Sequence, residues 1–119
     1  MPRYDAIIFD LFGTLICTVT PNDYETMLGD ISKLLQVPQH EFATQWRAMI
    51  EERESGTLGN LDAVLRTTAA AAGGAPSYDQ IKSAAKSWLR VVSRWLLPRE
   101  NAYAVLNQIK QTGTRLGLL

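Results

Sequence analysis

The feature that most limits what this chain can fold into is its first apolar run. Ala6-Ile7-Ile8-Phe9 is short, continuous and rich in β-branched and aromatic residues, and it ends on Asp10 and a Gly13-Thr14 turn. Such a run reads as a strand buried on both faces, as in a parallel sheet. A parallel strand needs a crossover back to its neighbour, so helices and at least one more strand must follow. An acid at the carboxyl end of that strand sits where open α/β sheets place their active sites.

The following stretch, to about Pro98, reads as helical. Thr20-Pro21-Asn22-Asp23 is a helix start, with a Thr cap, Pro at the first position and an acid in the first turn. Tyr24, Met27, Leu28, Ile31, Leu34 and Leu35 then form one apolar face. A second helix opens at Pro38, carries Phe42, Trp46, Met49 and Ile50, and ends at Gly56. A third runs from about Gly59 to Ala72 on Leu61, Val64 and Leu65, and Gly73-Gly74-Ala75-Pro76 breaks it. Ser77 and Gln80 make a capping box for a fourth, with a face of Ile81, Trp88, Leu89, Val92, Trp95 and Leu96. After Pro98 a fifth helix presents Ala102, Val105, Leu106 and Ile109 and stops at Gly113. Arg115 to Leu119 reads as a second buried strand, parallel to the first. The expected fold class is therefore α/β and mostly helical by residue count. Its domains are a partial core from residues 1–20 and 98–119 and a helical insertion over residues 21–97.

Composition limits the partners. With 119 residues, 46% of them hydrophobic, the chain can build a core of its own. A formal net charge of zero argues against nucleic acid or an anionic membrane, since both demand a basic face. No apolar run approaches the roughly 20 residues needed to span a bilayer, and the opening segment from Met1 to Asp5 leads into no signal-peptide pattern. A cytoplasmic setting is expected. The one cysteine, Cys17, has no disulfide partner and reads as a small buried filler. His40 reads as a surface residue, and Trp46, Trp88 and Trp95 as helical core.

The chemistry is concentrated in Phe9-Asp10-Leu11-Phe12-Gly13-Thr14-Leu15. Gly13 permits a sharp turn, so that amides near it can face an anion. Thr14 offers a hydroxyl to hold the Asp10 carboxylate, and a carboxylate so held can act as a covalent nucleophile. This segment resembles motif I of the haloacid dehalogenase superfamily: four apolar residues, then Asp-x-Asp-Gly-Thr, or Asp-x-Tyr/Phe-Gly-Thr in some branches. The order of elements is similar too, since members with a helical cap insert it soon after this motif. The resemblance implies a HAD-like Rossmannoid core with a four-helix cap. It implies a hydrolase acting on a small phosphate ester or a 2-haloacid. Asp10 would be the nucleophile, Thr14 would orient the loop, and Phe12 and Gly13 would lie against the substrate. In a phosphatase-like member, Mg²⁺ would be held by Asp10 and the Phe12 backbone carbonyl. In a dehalogenase-like member there would be no cofactor.

Phe12 departs from the phosphatase pattern, in which this position is an aspartate that acts as general acid and base. Losing a positioned acid typically costs about 10²–10⁴-fold. The L-2-haloacid dehalogenase branch has an aromatic residue here, and its halide leaving group needs no proton. Trp46-Arg47 is similar to that branch's Trp-Arg pair on an early cap helix, which would make Arg47 an anion-binding residue. The competing reading of Arg47 is a solvated helix arginine paired with Glu51 at i+4. The superfamily's Ser/Thr on the second strand, its later lysine and its acidic pair have no counterpart before Leu119. Lys82, Lys86 and Lys110 fall in the cap or crossover helices. The chain is therefore expected to supply part of a site. Ile7, Phe9, Leu116 and Leu118 are expected to lack cover. That implies self-association, a complementing C-terminal half or a truncated product. The runner-up function is a catalytically incomplete member that acts through such association.

Overall fold

The computed structural model describes residues 4–119. Residues 1–3, which open the segment read above for a leader, lie outside the described residues. The chain is a mixed α/β protein in the order β1 (Ala6–Phe9), α1 (Pro21–Leu34), α2 (Gln39–Ala48), α3 (Ile50–Glu54), α4 (Leu61–Ala71), α5 (Tyr78–Trp95), α6 (Ala102–Gln111) and β2 (Arg115–Leu118). Two compact units divide it. One comprises Met1–Thr20 with Val92–Leu119, the other Pro21–Val91. The division runs through α5, a few residues before the Leu97 boundary expected from the break at Pro98. No helix among the described residues is long and apolar enough to cross a membrane.

The helical unit is built on the faces the periodicity marks. Met27, Leu28 and Ile31 of α1, Phe42, Ala43 and Trp46 of α2, Val64, Leu65 and Ala69 of α4, and Ile81, Ala84 and Ala85 of α5 are all buried. Apolar burial of this kind is worth roughly 25 cal/mol per Å². Trp46 is the hub. It stacks on Phe42 with ring centroids 5.8 Å apart, and its indole Nε1 donates to the Tyr24 hydroxyl at 2.7 Å. The Arg53 guanidinium lies 4.2 Å over its ring. Caps close the helices: Asn60 Oδ1 accepts from the Ala63 amide. The Ser77–Gln80 box forms in both directions, Gln80 N donating to Ser77 Oγ and Ser77 N to Gln80 Oε1.

Two expectations for this unit fail. The helix read from Pro38 to Gly56 is broken at Met49, whose backbone leaves the helical basin (φ −97°, ψ 22°). Arg53 Nε donates to the Trp46 carbonyl at 3.1 Å. That carbonyl is the acceptor an unbroken helix would offer to the Ile50 amide. The apolar face of α5 is buried only at its N-terminal end. Trp88 is half-buried and Leu89 exposed.

In the other unit β1 and β2 pair in parallel, with Ala6 opposite Arg115 and Phe9 opposite Leu118. Leu119 N continues the ladder to Phe9 O at 2.8 Å. The strands are not buried on both faces. Ile7 and Phe9 are half-buried, Ala6 and Ile8 are exposed, and every residue of β2 is exposed. Ile8 retains 68% of its accessible surface and Leu118 61%. A strand pair needs layers on both sides to bury both faces. Here one face is half-covered and the other is open. Loss of cover was expected at Ile7, Phe9, Leu116 and Leu118; Leu116 and Leu118 are exposed and Ile7 and Phe9 half-buried, while Ile8, not among those expected, is also exposed.

Candidate active site

The candidate site is the turn that follows β1. Asp10 stands one residue beyond Phe9, the last residue of the strand, and its side chain is exposed. The chain then folds into a compact loop around one carbonyl. The amides of Thr14, Leu15 and Ile16 all donate to Leu11 O, at 3.3, 3.0 and 3.1 Å. Gly13 N donates to Ile16 O at 2.9 Å. Gly13 makes the reversal possible, since its φ of +76° lies in the left-handed region that L side chains avoid. A Cβ there would also stand 2.7 Å from Thr18 Oγ1.

This geometry sorts the amides. Those of Gly13 to Ile16 are spent inside the loop and are not offered to a ligand. The amides of Leu11 and Phe12 donate to no backbone carbonyl among the described residues. Any anion held by the loop would therefore meet the two amides immediately after Asp10, rather than those at the glycine. Phe12 itself is 53% exposed.

A second segment fastens the loop from outside. Ile16 bridges Phe12 on one side and Pro98 on the other, and Ile16 is the buried residue of the segment, at 4% exposure. Arg99 N donates to Leu15 O at 2.8 Å, and Arg99 Nη1 donates to Gly13 O at 3.1 Å. Beside the loop lies an open groove of about 510 Å³, lined by Thr14, Leu15, Cys17 and Arg99 among others. Asp10 is not part of that lining.

Several expected site residues are placed differently from their expected roles. The Thr14 hydroxyl makes no hydrogen bond to Asp10 among the described residues; its amide is turned into the loop and Thr14 lines the groove. Cys17 is exposed, not a buried filler. Alternation explains this, because Ile16 takes the inward position next to it. Arg47 belongs to the helical unit and Asp10 to the other. Its guanidinium forms an ion pair with Glu25 of α1, not with Glu51, which lies in α3 beyond the break at Met49. Both partners keep about half of their side-chain surface in solvent. Trp46, next to it, is core, and His40 is exposed as expected.

Arg99 is the site residue that the sequence reading missed. Its only signal was a cation directly after Pro98, at the point where the chain re-enters the unit that holds Asp10. For Mg²⁺, the described residues gather no complete ligand set. The ion takes octahedral oxygen ligands, usually one or two carboxylates with waters and substrate oxygens. Asp10 would supply one carboxylate and Phe12 one carbonyl, and no group of three or more His, Cys, Asp or Glu gathers among the described residues. Compared with family models, curated proteins and solved structures, the chain matches none.

Proposed function

We propose that this chain carries the nucleophile of a haloacid dehalogenase-type hydrolase, with Asp10 forming a covalent ester with a small phosphate ester or a 2-haloacid. One observation carries the reading. A solvent-exposed carboxylate directly follows a parallel strand and is succeeded by two amides that donate to no backbone carbonyl among the described residues and by a left-handed glycine turn. This is the placement that open α/β sheets use for chemistry at their strand ends.

In the proposed reaction an Asp10 Oδ attacks the substrate centre and expels the leaving group with its electron pair. Water then cleaves the ester and restores the carboxylate. The Leu11 and Phe12 amides would hold the substrate anion. Phe12 cannot protonate a leaving group, so a halide, which leaves unprotonated, suits the site better than an alkoxide. Release of halide from 2-chloropropionate and of phosphate from p-nitrophenyl phosphate separates the two substrate classes. The Asp10→Asn variant is expected to abolish whichever is seen; retained turnover refutes the assignment.

The open strand pair favours a second reading. Leu116 and Leu118 are exposed on the face they share with Ile7 and Phe9, and Ile8 is exposed on the other, so both faces of the strand pair leave apolar surface of the kind that marks an association site. On this reading the chain acts through association with itself or with a complementing segment, and catalysis by the single chain is absent. Sedimentation velocity tests it: a dispersed monomer across the micromolar range contradicts the association.

A further inference from the structure

We infer that Arg99 is the positioning residue of the Asp10 loop, holding the turn after the nucleophile in register from outside. The inference rests on the proposed role of Asp10 for its catalytic meaning, but not for its geometry. The loop from Leu11 to Ile16 gathers its own amides onto Leu11 O, and this leaves the Gly13 and Leu15 carbonyls pointing outward. Arg99 takes both. Its backbone amide donates to Leu15 O at 2.8 Å and its guanidinium Nη1 to Gly13 O at 3.1 Å. A single residue thus spans two acceptors two positions apart, while its neighbour Pro98 bridges Ile16.

The side-chain bond is the one that matters for register. Gly13 is the residue in the left-handed conformation, and glycine there is free to leave it because no side chain limits its φ. A charged donor on its carbonyl selects one orientation of the Gly13–Thr14 peptide. The N–H of that same peptide, on Thr14, donates to Leu11 O at 3.3 Å, so the orientation is passed to the Leu11–Phe12 peptide and the Phe12 amide it carries. Arg99 reaches no reacting atom in this arrangement; it acts through the loop. A planar fork suits the task better than an ammonium, because one arm can bind the carbonyl while the rest of the group faces the neighbouring groove, which Arg99 also lines.

The test compares Arg99→Ala, Arg99→Lys and the unaltered protein by amide hydrogen exchange. Arg99→Ala is expected to speed exchange of the Gly13, Thr14, Leu15 and Ile16 amides by about three- to tenfold, as for loss of one exposed hydrogen bond. Exchange in the β1–β2 ladder should stay unchanged. Arg99→Lys, which keeps a donor, should restore part of the protection. Millimolar guanidinium should restore part of it to Arg99→Ala and leave Arg99→Lys unaffected. Uniform loss of protection across the unit, or no change at the loop, overturns the inference. Where 2-chloropropionate or p-nitrophenyl phosphate is turned over, Arg99→Ala should lower kcat with little change in KM. If the loop responds as expected and Asp10→Asn retains turnover, the positioning stands and the nucleophile assignment falls.

Discussion

Replacing Gly13 tests whether the turn after Asp10 is held by backbone conformation or by packing. At φ +76° an L residue costs about 1–2 kcal/mol relative to the right-handed region. Alanine recovers roughly 0.4–1 kcal/mol of this by restricting the unfolded chain. The new methyl carbon would also stand 2.7 Å from Thr18 Oγ1. That contact is with the end of a side chain, so a χ1 rotation relieves it at about 0.5–1.5 kcal/mol. The net expectation is a loss of about 0.5–3 kcal/mol for Gly13→Ala. Asparagine tolerates the left-handed region better than other non-glycine residues. Gly13→Asn should therefore lose less of the conformational part than alanine does. In a Thr18→Ala background the cost of Gly13→Ala should fall by the rotamer term alone. Urea unfolding followed by circular dichroism measures each value, as a change of Cm at constant m. If Gly13→Ala is neutral or stabilising, or if valine is tolerated as well as asparagine, the left-handed turn is not what holds the loop.

Three other expectations concern the helical unit. Phe42→Ala removes a fully buried ring stacked on Trp46 and should cost about 3–5 kcal/mol by thermal unfolding. Arg47→Ala should change stability by under about 1 kcal/mol, since its pair with Glu25 is half in solvent. A fall in kcat/KM at unchanged stability would mark Arg47 as the anion-binding residue that the resemblance implies. The Lys82 ammonium, hydrogen-bonded to Asp62, has its pKa raised above 10.5. Because the folded value is the higher, the pair's contribution is complete below pH 10.5 and is lost as pH rises through the folded value. Lys82→Met should remove that slope from the melting temperature in alkaline buffer.

How far the sequence discloses this fold depends on the range of the interactions involved. The capping box at Ser77 and Gln80 and the apolar stripe of α1 are local; the box is present as read, and the stripe is buried at Met27, Leu28, Ile31 and Leu35, with Tyr24 half-buried and Leu34 exposed. The parallel pairing of β1 with β2 was legible because few connections join two short apolar runs through helices. The break at Met49 was hidden, because the Trp46 carbonyl it frees is satisfied by the side chain of Arg53 rather than by a local backbone amide. Cys17 was misread because alternation beyond a strand end depends on which neighbour the bridge to Pro98 draws inward. In the candidate site, Asp10 and Gly13 were legible from strand, turn and residue type. The Thr14 hydroxyl was assigned to Asp10 on proximity in sequence alone, and the loop directs it elsewhere. The Arg99 contact with Gly13 spans 86 positions, and no local pattern announces it.

The central claim is that Asp10 makes and breaks a covalent bond with its substrate. Its most direct test is a single turnover in H₂¹⁸O with protein in excess over substrate, followed by mass analysis of the peptide that carries Asp10. For a 2-haloacid, water cleaves the ester at the carboxyl carbon, so the account predicts one heavy oxygen in the Asp10 side chain. For a phosphate ester, water attacks phosphorus; the label then appears in the released phosphate, and acid quench traps a phosphorylated Asp10 peptide. Turnover that leaves the Asp10 peptide unlabelled and unmodified in both cases would contradict the account.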